Sequence, residues 1–167
     1  SGGLFRDMMI HDFDMARWFL GEDPVEVFAT GSCLVDPFFA ELNDVDTAIA
    51  VLRTASGKLC HIENSRRAVY GYDQRIEVFG SQGMLQGGNR TAASTELWNA
   101  QGITRDKPLP FFPERYVEAY ALEIADFIDT ALRGEKPEVS GDAGRKSLEL
   151  ADAAQRSFET KAKVVLG

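Results

Sequence analysis

The sequence is poor in the residues on which several protein classes depend. It has two cysteines, Cys33 and Cys60, each in a strand-like apolar stretch and neither with a CxxC partner. That excludes a zinc knuckle, and two buried thiols in a reducing, cytoplasmic setting are expected in preference to a disulfide between them. Basic residues are outnumbered, 18 Lys and Arg against 26 Asp and Glu, for a net charge of −8. No basic patch rises from that acidic background, so neither nucleic acid nor an anionic membrane surface is expected as a partner. The longest apolar runs are far too short to cross a bilayer, and the start carries no basic–apolar–small signal. Internal repeats, low-complexity tracts and linkers are also lacking. No GxGxxG follows a strand; Gly80-Ser81-Gln82-Gly83 and Gly87-Gly88 read as turn glycines instead of phosphate loops.

What is present is enough for one ordinary domain with a core: 167 residues, 44% hydrophobic and 26% charged. A first helix is predicted over residues 4–20, with Met9, Phe13, Ala16 and Leu20 on its core face and Gly21 and Pro24 as its stop. Strand-like pieces follow: 25–35, then 46–54 and 58–68 as a hairpin around Ala55-Ser56-Gly57. Further hairpins turn at Ser81-Gln82-Gly83 and at Gln101-Gly102. After Pro113 a helix is predicted with Val117, Ala121, Ile124 and Ile128 on one face and Gly134 as its stop. A last helix starts near Ser140–Asp142 and carries Leu148, Ala151 and Phe158 to the end of the chain. Strands and helices are segregated, so the expected class is α+β: an open, mainly antiparallel sheet with helices packed on one face.

The chemistry is concentrated in the first helix. Asp7, His11 and Asp14 stand at i, i+4 and i+7, on one stripe opposite the core face. The plain reading is a solvated face. Met8 and Met15 border the stripe, however, and Trp18 continues it, which suggests a site covered by something. A carboxylate hydrogen-bonded to an imidazole makes a general base that works near neutral pH. A metal reading adds His61 and Glu63, which alternate onto one face of their strand, but nothing in the pattern requires the two elements to meet. A second polar concentration holds Arg66, Arg67, Tyr70, Tyr72, Asp73 and Arg75 around a bend at Gly71. Those charges can pair at a sheet edge, while the phenols can line a polar pocket. Arg115 and Tyr116 form a third candidate at a helix start, where a Tyr simply packing on the Pro-rich loop is the plain alternative.

Two stretches, "SGGLFRDMMIHDFDMARWFLGEDPVEVFA" and "SRRAVYGYDQRIEVFGSQGML", resemble the glucose–fructose oxidoreductase (Gfo/Idh/MocA) family of NAD(P)-dependent sugar and polyol dehydrogenases. The resemblance extends over nearly the whole chain. The family at large shares only Asp-x-x-x-His, whereas "FRDMxIHDFDMAR" is similar to its inositol 2-dehydrogenase subgroup. The resemblance implies a two-domain protein in which residues 1–167 are the C-terminal substrate-binding and oligomerisation domain. The N-terminal Rossmann domain, with the NAD site and a catalytic Lys in a Glu-Lys-Pro motif, would lie outside this chain. Glu135-Lys136-Pro137, after a helix-stopping glycine, is read as a coincidence. A strand expected just before Ser1 would be missing, leaving the sheet incomplete.

By the same resemblance, His11 would remove the proton from the reacting hydroxyl while hydride passes to NAD, and Asp7 would orient His11. Asp14 would bind a neighbouring hydroxyl and Tyr70 would supply another substrate contact, while Arg115 and Tyr116 would sit near the nicotinamide or the substrate. The implied reaction is oxidation of myo-inositol at C2 to the inosose, with a related sugar or scyllo-inositol dehydrogenase as the alternative. The chain alone would be inactive. A homo-oligomer, dimer or tetramer, would form through the open sheet face, and a non-catalytic oligomerisation module of the same fold is a further alternative.

Overall fold

The structure, a computed structural model, describes residues 2–167, which divide into two compact units: residues 2–67 with 138–167, and Ala68–Pro137. In chain order the elements are a π-helical turn Phe5–Met9, α1 (Ile10–Leu20), β1 (Pro24–Ser32), α2 (Phe38–Glu41), β2 (Thr47–Thr54) and β3 (Leu59–Ser65). Then come β4 (Ile76–Gly80), β5 (Gly83–Gly87), β6 (Glu96–Asn99), β7 (Gly102–Arg105), α3 (Phe112–Arg133), α4 (Gly141–Thr160) and β8 (Val164–Val165).

The first unit is an antiparallel sheet in the order β3-β2-β1-β8, with α1 and α4 on one face. The period-2 pattern of β2 sets the two faces. Ala48, Ala50, Leu52 and Thr54 point inward and are buried, while Ile49, Val51 and Arg53 point outward. Val27 and Ala29 of β1 and Ile62 of β3 join the inner face. They meet Leu4, Phe5, Met9, Phe13 and Ala16 from the first helix and Leu150, Ala151, Ala153 and Ala154 from α4. The small residues of α4 allow close packing on the sheet. Phe5 and Phe13, fully buried, each contribute about 1.5–3 kcal/mol of burial free energy. The α+β class, the antiparallel sheet and the one-sided helices are therefore as the sequence pattern predicts.

Several boundaries differ, among them that of the strand expected over 58–68, which runs over Leu59–Ser65. The first helix begins with a π-turn, so only Ile10 onward is α-helical. The strand expected over 25–35 starts at Pro24 and stops at Ser32, because the N–H groups of Leu34, Val35 and Asp36 turn away to the Asp46 carboxylate. The last helix does not run to the end of the chain. It stops at Thr160, Lys161 takes a left-handed conformation with φ 55°, and β8 then pairs with the edge of β1. Leu148, expected in the core, is exposed, and its neighbour Leu150 takes that place.

The second unit contains two hairpins, β4–β5 and β6–β7, and α3. Gly71 makes its bend: φ is +134°, and a Cβ there would lie 2.6 Å from the Pro108 carbonyl oxygen. The Tyr72 N–H donates to the Leu109 carbonyl at 2.8 Å, which fixes the bend. Helix α3 has Pro113 in its first turn and ends at Gly134, yet none of its residues is buried. Its apolar face of Val117, Ala121, Ile124 and Ile128 is exposed, since neither two-stranded hairpin packs extensively against it.

Candidate active site

Asp7 and His11 lie on the first helix where its winding changes. Asp7 is at the middle of the π-turn, with its N–H on the Gly3 carbonyl at 2.9 Å, and His11 is in the first turn of α1. Such turns recur at functional sites because they shift side chains off the regular helical register. Both residues are exposed. The Asp7 carboxylate is held by a guanidinium: Arg66 Nη1 lies 3.3 Å from Asp7 Oδ2. Among the described residues the His11 imidazole makes no hydrogen bond, and in place of the expected Asp7–imidazole bond the Asp7 carboxylate pairs with the charged donor Arg66.

The neighbouring Asp12, not singled out by sequence, points inward and accepts a hydrogen bond from Asn64 Nδ2 at 2.9 Å. Burial pushes its carboxyl above the usual range, while the Asn64 bond and the nearby His11 pull it partly back. Its one sequence signal was adjacency to His11. Asp14 lies nearer α4: Oδ1 accepts from Ser147 Oγ at 2.9 Å and from Arg17 Nη1 at 3.3 Å. Its Oδ2 has no hydrogen bond among the described residues, so half of that carboxylate remains available to a ligand. Met8 and Met15 are half-buried beside the stripe. Trp18, stacked edge-on to Phe19, is 69% exposed and leaves the stripe open in this chain.

Tyr70 and Tyr116 belong to the second unit. The Tyr70 hydroxyl donates to Asp73, whose carboxylate also receives Arg75 at 2.8 and 2.9 Å and Asn89 Nδ2 at 2.6 Å. The Arg75 bonds pull the Asp73 carboxyl down to about 2 against a smaller cost of burial. The bond to that carboxylate, with some burial, raises the Tyr70 phenol. Tyr70, Arg75, Asn89 and Arg105 line a cavity of about 560 Å³. Tyr116 donates to Gln74 and packs edge-on against Tyr72 and Tyr120, with Arg115 over its ring at 5.3 Å. Burial, reinforced by Tyr72, raises its phenol well above the ordinary value.

Two other arrangements carry less chemistry. A larger concavity in the first unit, about 1130 Å³, includes none of Asp7, His11 or Asp14. Several of its charges are paired, Arg6 with Asp152 at 2.6 Å and both Arg17 and Lys146 with Asp23 at 2.7 Å. His61 and Glu63 do share the outer face of β3, but among the described residues no three His, Cys, Asp or Glu converge as a metal site. Both cysteines are free thiols. No helix among the described residues is long and apolar enough to cross a membrane.

Comparison with known proteins sets this geometry in a family. The chain is 52% identical over 166 residues to the myo-inositol 2-dehydrogenase of Thermotoga maritima, covering 99% of this chain and 50% of that protein. It is 50% identical over 164 residues to the inositol 2-dehydrogenase of Rhizobium meliloti, covering 98% and 50%. Among solved structures, scyllo-inositol dehydrogenase from Lactobacillus casei with bound NAD(H) and scyllo-inositol superposes with a TM-score of 0.90 at 30% identity, over 99% of this chain and 48% of that one. The chain thus spans about half the length of the relatives it matches. The profile of the GFO/IDH/MocA C-terminal domain matches residues 1–86, the stretch that holds the π-turn, α1 and the three long strands, and the chain belongs to that family.

Proposed function

We propose that this chain is the substrate-side, C-terminal domain of an NAD-dependent inositol 2-dehydrogenase that oxidises myo-inositol to the inosose. The observation that carries the reading is the exposed Asp7–His11 pair on a π-turned helix start, with Asp7 anchored by Arg66. The similarity to inositol dehydrogenases over almost the whole chain supports it.

His11 takes the proton of the reacting hydroxyl. Histidine is the side chain most often used as a general base in such proton transfers. Asp7, four residues before it, is proposed to stabilise the imidazolium that forms. Asp14, through its uncommitted oxygen, accepts from a neighbouring hydroxyl, and Tyr70 and Tyr116 are proposed as further hydroxyl contacts. NAD, the hydride acceptor, does not fit the residues of this chain. Every strand pairing described is antiparallel, so the parallel βαβ crevice that seats a dinucleotide pyrophosphate is not formed here. NAD is therefore assigned to a domain outside these residues, in keeping with relatives twice as long. The open sheet face, with Phe28, Ile49 and Val51 exposed, is the proposed surface for homo-oligomer assembly.

The test is NADH formation from myo-inositol by the longer protein that carries this chain, beside its His11→Ala variant. Loss of about 10²–10⁴-fold in kcat is expected. Equal turnover by the variant would overturn the role of His11. Faster turnover of scyllo-inositol than of myo-inositol would move the assignment to the scyllo-inositol enzymes.

A further inference from the structure

We infer that Arg66 is a positioning residue for the reaction, acting through Asp7; the inference rests on the function proposed above. Arg66 follows β3 directly, and its backbone N–H donates to the Asp46 carbonyl at 2.8 Å, so its main chain is tied to the start of β2. Its guanidinium is oriented by three contacts. It lies over the Phe39 ring at 4.7 Å, reaches Asp44 Oδ2 with Nη2 at 3.1 Å, and reaches Asp7 Oδ2 with Nη1 at 3.3 Å. The side chain is only 18% exposed. Phe39 and Asp44 aim the group, and Asp7 is its most exposed carboxylate partner.

Two details separate this arrangement from an ordinary surface ion pair. First, Arg66 Nε is buried without a hydrogen-bond partner among the described residues, a cost that an arrangement selected for stability alone would avoid. Second, Asp44 ties the same clamp to the start of the reacting helix, since its Oδ1 accepts the Leu4 N–H at 2.9 Å. Gly3 is required for that approach: φ is +86°, and a Cβ would stand 2.9 Å from Asp44 Oδ1. One planar cation thereby fixes the helix start and one oxygen of Asp7 together. The other oxygen, Oδ1, has no hydrogen bond among the described residues and is left to face an imidazolium or a hydroxyl. A planar, two-pronged donor can hold two carboxylates in one geometry, which the point charge of a Lys cannot.

The experiment is a double-substitution cycle in the longer protein that carries this chain, reading kcat and KM for myo-inositol with NAD. Arg66→Ala is expected to lower kcat about 10–100-fold, the scale of a catalytic group displaced by about 1 Å, with KM little changed. Arg66→Lys should recover only part of that loss. In an Asp7→Asn background Arg66→Ala should change kcat less than about 2-fold, because the group it positions is already disabled. Equal effects in both backgrounds would show that Arg66 supports the fold alone and would overturn the inference. A normal rate in Asp7→Asn would overturn the parent reading of Asp7 and this inference with it. A crystal structure of the Arg66→Gln variant gives a readout independent of rate: the Asp7 carboxylate should turn away from its wild-type position, and an unmoved Asp7 would sink the proposal.

Discussion

At Asp46 three consecutive backbone N–H groups, of Leu34, Val35 and Asp36, meet one buried carboxylate at 2.8–2.9 Å, and the Thr47 hydroxyl adds a fourth donor. Burial alone would raise this carboxyl. The four donors outweigh burial and bring it from 3.8 down to about 2. A carboxyl whose folded pKa lies below its unfolded value stabilises the fold fully above the unfolded pKa and ceases to do so as pH falls through the folded one. Thermal melts of the wild type should therefore lose Tm as pH falls from about 4 to about 2. Asp46→Asn turns an amide donor toward N–H donors. Its Tm at pH 7 should be lower by on the order of 5–10 °C, with a flatter acid limb and convergence with the wild type near pH 2. Parallel pH profiles for the two proteins would show that this nest of donors does not stabilise the fold. The same logic with opposite sign applies to Asp12, where burial dominates and protonation is favoured. The two carboxylates differ because one faces backbone donors and the other a single amide.

Strand β1 shows how much one side chain can do for an element. Its pairing with β8 ends at Glu26 and Val27, and beyond that point the Ala29 N–H donates to the buried Ser157 hydroxyl at 2.9 Å. Ser157 in turn donates to the Ala162 carbonyl at 2.7 Å, so one hydroxyl completes the strand and closes the end of α4. Ser157→Ala should cost about 1–3 kcal/mol through the stranded Ala29 donor. The urea midpoint would measure it, and an unchanged midpoint would mean that water replaces the hydroxyl.

The sequence makes elements visible where local chemistry is sufficient. The hairpins around Gly57, Gly83 and Gly102 are legible because each glycine sits at positive φ in its turn, and α1 because Met9, Phe13 and Ala16 recur at the helical period. Spacing also brings Asp7, His11 and Asp14 onto one helix. Their partners are invisible to spacing: Arg66 is 59 residues from Asp7, and Ser147 is 133 from Asp14. The π-turn leaves no compositional mark, and the two-residue β8 exists only because the edge of β1 is there to pair with. The exposure of α3 was equally hidden, since an amphipathic pattern shows which face is apolar but not whether anything covers it.

For the molecule as a whole, the outward sheet face sets apolar Phe28, Ile49 and Val51 among exposed Thr30 and His61, on strands whose register puts Phe28, Val51 and His61 in one row. If this face assembles copies of the chain, Ile49→Glu together with Val51→Glu should convert it to a monomer in sedimentation equilibrium. An unchanged assembly state would exclude the face as the contact. The first unit is also discontinuous: residues 2–67 hold the sheet and first helix, and 138–167 supply α4 and β8. Loop-closure entropy grows only slowly with length, so the 70 intervening residues of Ala68–Pro137 weigh little on equilibrium stability. Their weight falls on time. During synthesis the face of β1 that α4 covers waits, unsealed, until Gly141–Thr160 have followed those 70 residues, and the seating of Asp14 on Ser147 waits with it.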